Sequence, residues 1–219
     1  DIPSNPSHFS ATNLSRQIED HRLDIRDTDS LASLVQKIQP DFVFHLAAQA
    51  LVRASYEDPL ETITTNAIGS ANLLDALRSL EKPVVAIMIT SDKAYDNVEW
   101  VWGYRETDRL GGKDPYSASK GMAELVIRTY VESFFNSSDS KVRVGITRAG
   151  NVIGGGDWSK DRLIPDSIKF LNKKKTIIIR NPNFNRPWQH VLEPLYGYLI
   201  LALKLYKEPD KFSGHMLSS

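Results

Sequence analysis

The sequence predicts an α/β fold, a parallel sheet wound on both faces by helices. Three observations predict it. Short runs rich in β-branched and aromatic residues recur at Asp41–Ala48, Val84–Ile89 and Val142–Thr147. Segments of helical spacing and crossover length separate them. Polar turns follow the carboxyl end of each run, the edge at which open α/β sheets bind ligands.

The elements follow in order. The first twenty residues are rich in Pro, Ser and Asn and read as a loop. Leu23–Ile25 is a short apolar piece. Thr28–Ile38 carries Leu31, Leu34, Val35 and Ile38 on one helical stripe, and Pro40 ends it. Asp41–Ala48 is continuously apolar, as suits a strand buried on both faces. Asn66–Leu80 reads as a helix, Val84–Ile89 as a buried strand, Tyr116–Phe135 as a long helix and Val142–Thr147 as the next strand. Beyond Gly154–Gly156 the pattern loosens. A helix is expected from Arg162–Pro165 to Leu171, a strand at Thr176–Ile179 and an apolar helix at Val191–Leu205. The expected division is a sheet domain over residues 1–150 and part of a second, ligand-binding region over 151–219.

Composition narrows the function. Lys+Arg and Asp+Glu number 27 each in 219 residues, so no charge excess points to nucleic acid or an anionic membrane. Cysteine is absent, which excludes disulfides, thiolate catalysis and cysteine-ligated metal. Five scattered histidines have no metal-ligand spacing, so no metal is expected. No apolar run has the length of a membrane span and no segment reads as a signal peptide, so the expected location is the cytoplasm.

Chemistry concentrates at the carboxyl ends of the strands. Tyr116 and Lys120, four apart, share one helix face. An ammonium beside a phenol favours the phenolate and suits it to act as a general base. Ser91, at the end of the preceding strand, lies 25 residues upstream. Hydroxyl, phenol and ammonium together are machinery for hydride transfer between a carbinol and a nicotinamide. Duller readings stand beside this one. His45 reads as a core histidine, Asp24 as a helix cap, Asp92–Lys93 as a surface ion pair and Gly154–Gly156 as a tight turn. Trp100, Trp102 and Tyr104 read equally as loop packing or as the wall of a sugar pocket. A dinucleotide-binding sheet usually opens with a strand, a glycine-rich turn and a helix, and no such turn follows a first strand here. The expectation is a Rossmann-type fold lacking its first strand–turn–helix and much of its carboxyl-terminal part.

Several stretches together resemble a known family. They are His45–Arg53, Thr90–Asn97, Glu99–Arg105, Gly111–Lys120, Arg148–Trp158, Asp161–Pro165 and Arg186–Val191. They are similar to the extended short-chain dehydrogenases/reductases, in the branch of nucleotide-sugar 4,6-dehydratases. Trp100, Trp102 and Gly154–Trp158 resemble the part of that branch that acts on CDP-sugars. The resemblance implies bound NAD and a lyase reaction on CDP-glucose in deoxysugar supply for lipopolysaccharide O-antigen. C4 is oxidised, water is lost across C5 and C6, and hydride returns to C6. It implies catalytic Ser91, Asp92, Lys93, Tyr116 and Lys120, with Asp92 as the acid for the C6 hydroxyl. Lys93 stands where most relatives carry Glu, and reads either as the C5 base or as a cation stabilising the enolate. It implies cofactor contacts from Asp24, Ile25, Leu46, Ala47, Ala48, Gln49 and Asn66 as well as Tyr116 and Lys120. It implies substrate contacts from Ser91, Asn151, Arg162, Arg186 and His190, and a homodimer or homotetramer. A nucleotide-sugar 4-epimerase and a non-catalytic nucleotide-binding module are the alternatives. Asp92–Lys93 argues against the first, and intact Ser91, Tyr116 and Lys120 argue against the second.

Overall fold

A computed structural model of the chain describes residues 7–179 and 181–209. In chain order the elements are α1 (His8–Ala11), α2 (Thr28–Ile38), β1 (Phe42–His45), α3 (Val52–Glu57), α4 (Pro59–Ile63), α5 (Gly69–Arg78), β2 (Val84–Ile89), α6 (Pro115–Tyr130), β3 (Val142–Thr147), β4 (Asn151–Ile153), α7 (Leu163–Asn172), β5 (Trp188–His190) and α8 (Leu192–Lys207). A π-helical turn, Thr64–Ile68, joins α4 to α5, and another, Val131–Phe135, ends α6. The residues group into two units. The larger takes in Leu23–Gly150 and the chain from Pro194; the smaller takes in the chain up to Arg22 and Asn151–Glu193.

The larger unit is built on a parallel sheet of order β1-β2-β3. Side chains alternate across a strand, so β2 has two apolar faces. Val84, Ala86 and Met88, with Val142, Val144 and Ile146 of β3, pack with Leu31, Val35, Leu73, Leu74, Leu77 and Ile127 of α2, α5 and α6. Val85 and Ile87 pack with Tyr198, Leu201, Ala202 and Leu205 of α8. The sheet is thus covered on both faces, as the sequence predicts. A Cβ on Gly145 would stand 2.8 Å from Leu201 and 3.0 Å from Leu205, so glycine there lets α8 lie close. β1 departs from expectation. Among the described residues it has a neighbour on one side only, and of its four residues only His45 is buried.

Helix caps fix the entry points. Asp27 caps α2, its carboxylate accepting the Ser30 N–H at 3.1 Å. The cap expected at Asp24 is therefore Asp27, and the Asp24 carboxylate binds Arg26 instead. Asp114 caps α6 by accepting the Ser117 N–H at 3.0 Å and its hydroxyl at 2.6 Å. Pro115, whose fixed φ suits a first turn, follows.

In the smaller unit β4 and β5 form a parallel pair, with Asn151 opposite Trp188 and Ile153 opposite His190. The expected strand at Thr176–Ile179 does not form; Ile178 and Ile179 lie exposed, with no strand beside them to complete a ladder. The opening segment also differs from a plain loop, since Ser7 caps the single turn α1 and Leu14–Arg16 makes a 3-10 turn. Gly156 adopts φ +81°, and a Cβ there would meet the His8 ring at 2.7 Å.

Gly112 precedes α6 so closely that an added Cβ would lie 2.4 Å from the backbone of Ser117 and Ala118, which has nowhere to retreat. Gly112→Ala is expected to cost about 1–3 kcal/mol in urea unfolding. Gly103→Ala, with nothing within 4 Å, is expected to leave stability within about 0.5 kcal/mol of wild type.

Candidate active site

The carboxyl edge of the larger sheet assembles from three strand ends and the first turns of α6. At the end of β1, His45 is buried, its Nε2 3.1 Å from the Ser70 hydroxyl. That hydroxyl donates to the Asn66 carbonyl at 2.7 Å. With its proton so committed, Ser70 accepts from His45, which sets the Nε2–H tautomer. Burial, and then the charge of Lys120, hold His45 down at about 4.

The loop after β1 is tied to α6 through Asn66. Asn66 Oδ1 accepts the Gln49 N–H at 2.8 Å, and Nδ2 donates to Gln49 O at 3.1 Å and to Ser119 Oγ at 2.8 Å. Ser119 in turn donates to Tyr116 O at 2.7 Å. Asn66 is 2% exposed and both its amide protons are used, so it braces the loop rather than offering donors outward. The Gln49 amide donates to Thr62 Oγ1 at 2.8 Å, while Leu46 and Ala47 stay exposed and Ala48 half-buried along the edge.

At the end of β2, Ser91 caps a 3-10 turn over Asp92–Ala94. Its hydroxyl accepts the Lys93 N–H at 3.2 Å and donates to Asp92 Oδ1 at 3.0 Å; Lys93 Nζ stands 3.5 Å from Asp92 Oδ2. Asp92 N donates to Ala149 O at 3.1 Å, which holds this turn to the chain leaving β3.

On α6, Lys120 Nζ lies 6.0 Å from the centre of the Tyr116 ring. Lys120 is 7% exposed. Burial lowers its pKa to about 8, against the pull of Glu124.

Glu124 and Arg148 were not legible as part of this site. Glu124 is fully buried one turn beyond Lys120. Arg148 Nε donates to its Oε1 at 2.6 Å, and Nη2 pairs with Oε2. Thr90 Oγ1 donates to the same Oε1 at 2.7 Å, and Arg128 stands 3.8 Å from Oε2. Burial is the largest influence and works against the Arg148 charge, but the hydrogen bonds and charges of Glu124 and Tyr95 together outweigh it and raise its pKa. The available signal was a carboxylate on the α6 stripe of Lys120, Ile127 and Val131, which are all buried.

The segment between the turn and α6 is closed by a bridge between Tyr95 and Leu110. Tyr95 stacks on Tyr104 at 4.9 Å, and Trp100 lies 5.4 Å from Tyr104. The Arg148 guanidinium sits 4.5 Å over Tyr95 and donates to Glu106 O at 3.2 Å. Trp100 and Tyr104 therefore pack the loop, while Trp102 points largely into solvent.

The other expected residues have local partners. Asp24, held by Arg26, has its pKa lowered to about 2 by that hydrogen bond. Ile25 packs over Gly69. Asn151, Arg162, Arg186 and His190 belong to the smaller unit. There Asn151 N donates to Pro187 O, and Arg162 Nε is 3.7 Å from Asp157. Arg186 lies over Phe184, and His190 Nδ1 accepts the Leu192 N–H at 3.3 Å. Among the described residues no group of His, Cys, Asp and Glu could hold a metal ion, and no helix is long and apolar enough to cross a membrane.

A doubly covered parallel sheet with Ser91, Tyr116 and Lys120 along its carboxyl edge defines a Rossmann-type chain of the extended short-chain dehydrogenase/reductase class. A family model described as GDP-mannose 4,6 dehydratase matches residues 4–210, and the chain belongs to that family. It is 51% identical over 216 residues to a CDP-glucose 4,6-dehydratase of Salmonella typhimurium, covering 97% of this chain and 60% of that protein. It is 27% identical over 223 residues to a UDP-glucose 4-epimerase of Mycoplasma pneumoniae, covering 94% of this chain and 64% of that one. Among solved structures, a dTDP-glucose 4,6-dehydratase from Streptomyces venezuelae with NAD bound superimposes with a TM-score of 0.76 at 26% identity, over 95% of this chain and 61% of that one. The chain thus spans about 60% of the length of the CDP-glucose relative.

His45 makes the fold acid-sensitive. The unfolded chain protonates it near 6.5 and the folded chain near 4, so between these values the unfolded state binds more protons. Stability is expected to fall as pH drops through that window. In urea unfolding at pH 7 and pH 5, His45→Gln is expected to lose less stability than wild type between the two; equal losses would refute the assignment.

Proposed function

We propose that the chain carries the oxidising centre of an NAD-dependent nucleotide-sugar 4,6-dehydratase that converts CDP-glucose to CDP-4-dehydro-6-deoxyglucose. The observation that carries the reading is the pair on α6: the Lys120 ammonium stands 6.0 Å from the centre of the Tyr116 ring, on a residue only 7% exposed, at the carboxyl edge of a parallel sheet. The 51% identity to the Salmonella enzyme supports CDP-glucose as the substrate.

The edge fits NAD. Lys120 has donors to spare for ribose hydroxyls, and the exposed Leu46–Ala47 backbone, with half-buried Ala48 and Gln49, offers a shallow rim. Asn66 braces that rim from behind, and Asp24 with Ile25 frames the adenine end. When bound, NAD supplies the acceptor and later the donor of the hydride that leaves C4 and arrives at C6. Tyr116 removes the C4 hydroxyl proton while Ser91 holds the same oxygen. The ketone so formed acidifies the C5 proton. Asp92 delivers a proton to the departing C6 hydroxyl, which leaves as water. Lys93, beside the Asp92 carboxylate, takes the C5 proton, or stabilises the enolate as a cation while water takes that proton; when hydride arrives at C6 a proton returns to C5 from the same group. Asn151, Arg162, Arg186 and His190 contact the nucleotide and diphosphate, where guanidinium forks match phosphate oxygens.

The reading carries with it a cytoplasmic location and pairing with a second copy. Exposed Leu60, Ile68, Met122 and Leu125 on the helices from α4 to α6 support the pairing. A 4-epimerase is the competing reading; it needs no elimination and leaves Asp92–Lys93 without a task.

The 219-residue stretch alone is expected to be inactive, whereas incubating the full-length protein that contains it with NAD and CDP-glucose is expected to give a 4-keto-6-deoxy product by mass spectrometry; turnover of only another nucleotide's sugar would reject the substrate. Tyr116→Phe is expected to lower kcat by about 10²–10⁴-fold. Lys93→Ala is expected to slow exchange of the C5 proton with solvent deuterium far more than reduction of NAD. Equal loss of both steps would contradict its place in the elimination.

A further inference from the structure

We propose that Glu124 is a positioning residue of this reaction, holding the Ser91 turn and Lys120 in fixed relation from a buried point between them. The inference rests on the function proposed above and adds a residue to it.

The geometry is specific. Glu124 Oε1 takes two donors, Arg148 Nε at 2.6 Å and Thr90 Oγ1 at 2.7 Å. Thr90 is the residue before Ser91 and ends β2; Arg148 follows β3 directly. Glu124 itself stands one helical turn beyond Lys120 and two beyond Tyr116. One carboxylate therefore sets the rotation and height of α6 against the ends of both strands. Sliding α6 by a fraction of an ångström would strain bonds to a fully buried charge, which an apolar contact would not resist so directionally.

The same carboxylate faces Lys120 electrostatically. The titratable and charged groups packed around Lys120 are Tyr116 and Glu124 from α6 and His45 from β1; Arg148 and Arg128 lie behind Glu124. His45 stays neutral above about pH 4, and it would oppose the lysine charge if it were protonated. Burial works to discharge Lys120 and Glu124 works to keep it charged. Without the Glu124 charge, Lys120 loses its proton at lower pH.

Two variant sets in the full-length protein that contains this chain, assayed with NAD and CDP-glucose, test this. Glu124→Gln with Arg148→Met removes both charges and leaves neither buried alone. It is expected to lower kcat about tenfold with KM within about twofold, and to move the alkaline limb of the kcat profile about one unit toward lower pH. Thr90→Val removes the hydroxyl that bonds Glu124 and also lies 3.0 Å from Thr147 O, and is expected to lower kcat several-fold, with Thr90→Ser restoring it. A double variant with the wild-type kcat and pH profile overturns the proposal. If the double variant does not fold, equal kcat in Thr90→Val and Thr90→Ser overturns it. A full-length wild-type protein that converts no CDP-glucose overturns the function and this inference with it, whereas an active wild type with indifferent variants overturns this inference alone.

Discussion

The carboxyl edge of the sheet depends on one buried ion pair, Glu124 with Arg148. Taking two charges out of water costs several kcal/mol per ion, and the pair is tolerable only when every donor and lone pair around it is used. The structure meets that condition closely. Arg148 spends its guanidinium on both Glu124 oxygens, on the Glu106 carbonyl and on the face of Tyr95. Glu124 collects Thr90 as well. A hydrophobic plug could fill the same space, but it would not state where α6 must sit. The pair does, because its bonds are short and directional, and it joins α6, the ends of β2 and β3 and the aromatic loop at one point.

A second brace works from the other side of α6. Asn66 sits in the π-helical turn before α5, which places its side chain between the loop after β1 and the first turn of α6. Through Ser119 it reaches the carbonyl of Tyr116. Two independent braces, one ionic and one amide, thus hold the helix that carries Tyr116 and Lys120. Preorganised dipoles and charges of this kind act without reorganising during a reaction.

Much of this was legible in the sequence, and the limits are physical. α2, β2 and β3 matched to the residue because each has one unbroken period or apolar run and a clear punctuating residue. β1 misled because its apolar run suggests a two-sided core, whereas edge or centre is decided by neighbours far away in sequence. β4 and β5 were invisible for a similar reason: three-residue strands paired across more than thirty residues carry no local signal. Thr176–Ile179 has strand-forming residues and no partner, so propensity lost to topology. The placement of Tyr116 and Lys120 on one helix and of Ser91 at a strand end was legible because it follows from spacing and from the end of an apolar run. Glu124 and Arg148 were not, because a charged side chain reads as solvated until its exposure is known.

The edge also divides its labour by rigidity. Tyr116 and Lys120 stand on a sixteen-residue helix that is capped, braced and buried along one face. Asp92 and Lys93 stand on a single 3-10 turn, their side chains about a third exposed and only 3.5 Å apart. In the proposed reaction the first pair must hold a hydroxyl in line for oxidation, where small displacements are costly. The second pair must exchange protons with a sugar carbon and a departing hydroxyl, a task that needs contact with water and room to turn. Buried groups for the redox step and more exposed groups for the elimination are what one sheet edge must offer if it is to oxidise and dehydrate the same sugar without releasing it. The placement of Ser91 between them, its hydroxyl shared with Asp92 and its neighbour Thr90 bonded to Glu124, makes it the joint at which the buried half meets the exposed one.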